Sequence, residues 1–283
     1  MTREGPTGSV RSIIGRGRRF VGKLRGGTDP GGAPPELQAA STYSEPGNQW
    51  YYPPVAGPSS FLPDVVGTAP VELALEVLDR LSTDSYLDFV RNFYRKGISV
   101  FGRDWVYADI NTVLLGLTRR LAPSSYLEIG VRRGRSMAMV VSQAPACRIV
   151  GFDLWLENYA GMENPGPRLV REELARLGFS GKLDFVDGDS KETVPRFFEQ
   201  HPGEFFDVIT VDGDHSTEGA RRDLENVMPH LKIGGALVFD DISNQSHPSL
   251  LSVWKETVES DDRFVSYAFT EAGFGVGFAI RKR

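Results

Sequence analysis

The chain has 283 residues, 40% of them hydrophobic, which suffices for one large core with an appendage. Its net charge of −5 argues against nucleic acid as a partner. A single cysteine, Cys147, excludes an intrachain disulfide and fits a reducing, cytoplasmic setting.

Residues 1–68 read as a basic arm followed by a linker. The first 25 carry seven Lys or Arg against one Glu, a local +6 in an otherwise acidic chain. No uninterrupted apolar stretch marks a signal peptide there, and no run approaches the roughly 18–20 residues that span a bilayer. Residues 26–60 hold six Gly and seven Pro, a composition that suits a linker rather than a helix or central strand. Trp50, Tyr51 and Tyr52 interrupt it; three aromatics in a row are costly in water, so they either stay in the linker or dock on the folded part.

From about 69 to 122 the apolar residues recur every three or four positions, which predicts N-terminal helices over 70–81, 85–97 and 104–123, the last stopped by Pro123. From 123 to 283, strands and helices alternate. The strand-like runs are 125–130, 147–153, 182–188, 206–212 and 235–241, with helical runs such as 166–178, 191–200 and 219–231 between them. Apolar strands alternating with helices predict a parallel sheet covered on both faces. The tail differs, since 263–270 and 274–282 flank the turn Glu271-Ala272-Gly273 and predict an antiparallel hairpin.

In such a sheet, ligands bind beyond the carboxyl ends of the strands, where the topology reverses. The first strand ends in LEIGVRRGRS, in which Gly130 and Gly134 permit a tight turn ahead of a helix N-terminus. Arg132 stands where a dinucleotide fingerprint would have its second glycine, so this loop alone does not define a cofactor. Asp153 ends the second strand, placed to grip ribose hydroxyls or to cap the segment that follows. Asp212 ends the fourth strand; Asp240 and Asp241 end the fifth. Neighbouring strands lie about 4.8 Å apart, so these three carboxylates can converge. With no neutralising Lys or Arg beside them they call for a cation, and all-oxygen donors favour a hard ion such as Mg²⁺. Asp214 reads as a cap or an outward-pointing residue, His201 and His230 as surface residues.

The motifs YLEIGVRRGRS, IVGFDLW, VDGDS and VDGDH…LKIGGALVFDD, in this order, resemble class I S-adenosylmethionine-dependent methyltransferases. More closely, they are similar to the metal-dependent small-molecule O-methyltransferases. That group includes catechol and caffeoyl-CoA O-methyltransferases and the macrocin and mycinamicin sugar O-methyltransferases. The likeness covers about 120–283. It implies an α/β fold: a Rossmann-like, seven-stranded, mostly parallel sheet with an antiparallel last strand, plus the N-terminal helices. It also implies roles. Glu128 and Gly130 stand beside the methionine part of the cofactor, Gly134 in the same loop, and Ser136 at the methionine carboxylate. Asp153 takes the ribose, Gly188, Asp189 and Ser190 the adenine, and Asp212 borders the cofactor while serving as metal ligand with Asp240 and Asp241.

His215 lies three residues past Asp212, and in the sugar O-methyltransferases a histidine in a similar V-D-G-x-H setting serves as base; catechol-type enzymes have a lysine there. The resemblance therefore implies methylation of a hydroxyl on a small molecule, a sugar or glycoside, with His247 lining the acceptor pocket. Methylation of a phenol is the alternative. Another is a membrane-surface glycolipid enzyme tethered weakly through the six basic residues of 11–25. A homo-oligomer stays open.

Overall fold

The computed structural model describes residues 35–42, 55–158, 161 and 163–283. The basic arm, the proposed membrane contact at 11–25 and the Trp50–Tyr52 run lie outside the described residues. Seven strands form one sheet: β1 (Ser125–Ile129), β2 (Arg148–Asp153), β3 (Leu183–Asp187), β4 (Phe206–Val211), β5 (Leu231–Asp240), β6 (Phe264–Phe269) and β7 (Val276–Arg281). Their order across the sheet is β3-β2-β1-β4-β5-β7-β6. The strands β1 to β5 pair in parallel, whereas β7 runs antiparallel to both β5 and β6, as the hairpin pattern predicts. The order reverses between β1 and β4, and that opens a crevice beyond their carboxyl ends.

Side-chain alternation divides the core. Tyr126, Val208, Val238 and Phe278 face one helical layer; Leu127, Ile129, Val211, Leu237 and Phe239 face the other. The first layer contains α1 (Leu62–Val65), α2 (Thr68–Leu78), α3 (Ser85–Phe101), α4 (Ile110–Leu121), α5 (Arg135–Gln143) and α6 (Pro167–Arg176). The second contains α7 (Ser190–Gln200), α8 (Thr217–Val227) and α9 (Leu250–Trp254). The helices before the sheet thus share their core with it. Among the described residues, no helix is long and apolar enough to cross a membrane.

Three features differ from the pattern reading. The helix expected from 104 begins only at Ile110, because Asp109 forms a capping box there: its carboxylate accepts from the N–H groups of Asn111 and Thr112, and Thr112 accepts from the Asp109 N–H. Trp105 and Tyr107 lie buried in the extended segment ahead of it. Short α1, inside the stretch read as linker, packs on α4. Finally, residues 35–42 touch the start of β5: Ala39 donates to the Ile233 carbonyl, and Ala40 donates to the buried carboxylate of Asp207. That carboxylate also takes Ser124, Ser125 and Lys232, and these partners hold its pKa low despite its burial.

Candidate active site

The loop after β1 is built around backbone that few residues tolerate. Gly130 has φ +90°, and a Cβ there would come within 1.9 Å of the Asp212 carbonyl oxygen, so the loops leaving β1 and β4 touch through this glycine. Arg132 is also left-handed, φ +50°. Asp153 holds it so: Oδ2 accepts from the N–H groups of Val131 and Arg132 at 2.8 and 2.7 Å, and Oδ1 from Trp155 at 2.5 Å. The residue expected to bind ribose therefore also fixes the neighbouring loop. Oδ2 is thereby saturated, while Oδ1 keeps a lone pair for a hydroxyl. Behind the loop, Gly134 caps α5 in a left-handed conformation, and the first-turn N–H groups of α5, that of Ser136 among them, have no partner within the helix. The arrangement suits a bound carboxylate.

Glu128 lies fully buried beneath, accepting from the hydroxyls of Ser136 and Tyr126. Burial pushes its pKa up to about 8, partly offset by those two hydrogen bonds and reinforced by the charges of Asp212 and Asp153. A cation arriving here would be stabilised by the ionised form. Ser136 thus spends its hydroxyl on Glu128, leaving its N–H for a ligand. Across the crevice Gly188 (φ +128°) donates to the Asp153 carbonyl, Asp189 caps α7 by accepting from Lys191 N–H, and Ser190 begins that helix.

Asp212, His215 and Asp241 come together beyond β4 and β5. Their ligand atoms all lie within 4.8 Å of one another; His215 Nε2 stands 3.3 Å from Asp212 Oδ1 and 3.7 Å from Asp241 Oδ2. Asp241 is left-handed (φ +62°), a conformation that Asp tolerates better than most residues. This breaks the strand alternation that would otherwise send Asp240 and Asp241 to opposite faces. Asp240 falls outside the tight trio but within its field. Burial first, then the charges of Asp212, Asp241 and Asp109, hold its pKa well above the ordinary range; burial and Asp212 push Asp241 up to about 6. Among the described residues no Lys or Arg forms a salt bridge with these three carboxylates, so the donor set suits a hard divalent cation. For His215, burial pulls the pKa down, and the hydrogen bond and charge of Asp212 with the charge of Asp241 outweigh it, so the imidazole holds its proton more tightly than usual. The ring of His247 lies 4.6 Å from that of His215. Away from the site, His230 stacks on Phe198, with ring centroids 3.5 Å apart.

The pattern reading found no site residue in the N-terminal helices, yet the structure brings Tyr86 and Tyr107 into the field of Asp240. The Arg135 guanidinium lies 4.6 Å above the Tyr86 ring. Asp109 accepts from the hydroxyls of Tyr94 and Tyr107, which ties this layer to the start of α4. A capping-box signal was present at Asp109; for Tyr86 the sequence held no signal beyond helical spacing.

The reversed strand order and the loop geometry define the fold of a class I methyltransferase. Residues 127–242 match a methyltransferase domain family. Over those residues the chain accordingly carries a methyltransferase domain, set on the seven-stranded sheet. It is similar to the solved O-methyltransferase TomG of Streptomyces achromogenes at 18% identity, covering 72% of this chain and 92% of that one, with a TM-score of 0.50. It is also similar to an O-methyltransferase from Bacillus cereus (16% identity, 76% and 91% covered, TM-score 0.49). A third similar structure is a TDP-rhamnose 3'-O-methyltransferase of calicheamicin biosynthesis (19%, 76% and 93%, 0.48). No curated protein matches the sequence.

Asp153→Ala removes both the carboxylate expected to accept from the ribose and the clamp on Arg132. It is expected to weaken S-adenosylmethionine binding by about 1.5–3 kcal/mol, the scale of lost charged hydrogen bonds. Calorimetry that finds an unchanged affinity would remove Asp153 from the site.

Proposed function

We propose that the chain is a divalent-metal-dependent O-methyltransferase acting on a hydroxyl of a sugar or other polyhydroxylated small molecule. The observation that carries this reading is the meeting of Asp212, His215 and Asp241, with Asp240 beside them, one loop away from the Gly130–Ser136 turn. A sugar acceptor is supported by His215 in its V-D-G-x-H setting. The free, buried thiol of Cys147 suits a cytoplasmic location.

The cofactor supplies an electrophilic methyl group on a sulfonium, so the chain needs no nucleophile of its own. Its residues bind and orient. The α5 N-terminus and Glu128 take the amino-acid end, Asp153 the ribose and Gly188–Ser190 the adenine. Asp212, Asp240 and Asp241 would hold the cation, which supplies Lewis-acid charge that makes a hydroxyl more acidic. An alkyl hydroxyl is a feeble nucleophile at its own pKa. Nε2 of His215, which pairs with Asp212 Oδ1, would act as base from the neutral form protonated on Nδ1, and the imidazolium formed when it takes the hydroxyl proton is stabilised by Asp212 and Asp241.

The same geometry favours a second reading, with His215 Nε2 as a third cation ligand beside Asp212 and Asp241. The test is methyl transfer from labelled S-adenosylmethionine to a panel of glycosides and catechols, with and without chelator. Chelator-sensitive labelling of glycosides is expected. Transfer confined to catechols would replace the sugar reading with the phenol one.

A further inference from the structure

Two bridges join the loop after β3 to the loop after β4. On the outside, Lys191 Nζ lies 3.2 Å from Asp214 Oδ2 and 3.7 Å from Asp189 Oδ2. On the inside stands Asp223 of α8, fully buried. The Ser190 side chain and the Asp214 N–H lie near enough to favour its charged form, yet neither carboxylate oxygen has a hydrogen-bond partner. Burial accordingly pushes its pKa up to about 6. Gly213 fills the space between: a Cβ there would lie 2.8 Å from Ile129 Cγ2 and 3.3 Å from Asp223 Oδ2. Asp212 N–H is tied to the Ile129 carbonyl at 2.8 Å. The loop that carries Asp212 and His215 is therefore seated on β1 from below and stapled to the Ser190 loop from the side.

A buried carboxylate lacking good partners is costly, and the cost falls if the Ser190 side chain comes fully within hydrogen-bond reach. One end of the staple is the adenine segment Gly188–Ser190; the other is the loop of the carboxylate site. We propose that Asp223, with Lys191 and Asp214 outside it, couples cofactor binding to divalent-cation binding. Occupation of the adenine segment draws Ser190 onto Asp223, and Asp223 then holds Gly213 and Asp214, which sets the bearing of Asp212 and His215. Coupling of this kind is reciprocal, so the cation tightens the cofactor by the same factor. The inference rests on the proposed function. Asp223, Lys191 and Asp214 act here as positioning residues and touch neither ligand.

Calorimetry on the full chain tests it, with S-adenosylhomocysteine titrated in the absence and presence of saturating Mn²⁺. Mn²⁺ is expected to tighten S-adenosylhomocysteine by at least about 5-fold in the wild type, the lower end of ordinary coupling. In Asp223→Asn, which keeps the volume, the factor should fall below about 2-fold while the metal-free affinity stays within about 3-fold, since the cradle is untouched. Lys191→Met alters only a half-exposed bridge and should lower the factor by about half or more, which keeps the test alive if Asp223→Asn fails to fold. A folded variant that retains the wild-type factor overturns the proposal, as does a wild type that binds both ligands independently. A wild type that binds S-adenosylhomocysteine but no Mn²⁺ refutes the metal reading itself, a separate and recognisable result.

Discussion

The Asp240→Asn/Asp241→Asn variant should lose divalent-cation binding and, with it, at least about 10³-fold in turnover. An outer partner of a metal ligand alone is worth roughly 10–100-fold, and here two carboxylates of the proposed cation site disappear together. The electrostatics give the same sign. In the chain by itself, burial and mutual repulsion favour protonated carboxyls at Asp240 and Asp241, which is the state of a site short of positive charge. A cation must displace those protons, so its apparent affinity should rise with pH across the range in which they are lost. Asparagine keeps the shape and removes the charge, and repulsion with Asp212 is relieved. The variant should therefore be at least as stable as the wild type in denaturant titrations, while cation binding is lost. Exhaustive chelation of the wild type should reproduce the loss of turnover. Full activity after chelation, or in the variant, would refute metal dependence and leave the side chains to act alone.

What the sequence disclosed follows from how locally each feature is specified. Strands β1 to β5 each end in an apolar run followed by Gly or Asp, so both the sheet and the acids at its carboxyl edge could be read from spacing. The antiparallel hairpin was equally local. Less visible were features set by the backbone at single residues. The left-handed Asp241, whose carboxylate lies beside Asp212 and His215, leaves no trace in periodicity. Nor does the second use of Asp153, whose carboxylate clamps the loop that the glycines open. Helix α4 started late because a capping box competes with apolar spacing, and the box wins where Trp105 and Tyr107 bury better in extended chain. Tyr86 and Asp223 were beyond reach for a third reason. Each sits on a helix face like many others, and only tertiary packing places one above the carboxylates and the other beneath the loop.

His215→Ala should lower turnover by roughly 10²–10⁴-fold, the usual range for a positioned base. Binding of the cofactor should hardly change, because the Gly130–Ser136 loop and Asp153 are untouched, and neither should cation affinity if Asp212, Asp240 and Asp241 are the ligands. The pH profile separates roles further. Asp212 and Asp241 raise the His215 pKa above its ordinary value, so the imidazole stays protonated, and useless as a base, to a higher pH than a solvated histidine would. A bound cation screens those carboxylates and repels the proton, so saturation with Mg²⁺ should shift the limb toward lower pH. The wild-type rate should therefore rise with pH as His215 becomes neutral, and that limb should be missing from the alanine variant. His215→Gln, which retains a hydrogen-bonding side chain without basicity near neutrality, should behave as Ala does in rate and as wild type in cation affinity. If instead both variants lose the cation, His215 is a ligand, as its place beside Asp212 and Asp241 allows. If they keep near-normal turnover and the same pH limb, the proton goes elsewhere, and His247, whose ring lies 4.6 Å away, is the next group to replace.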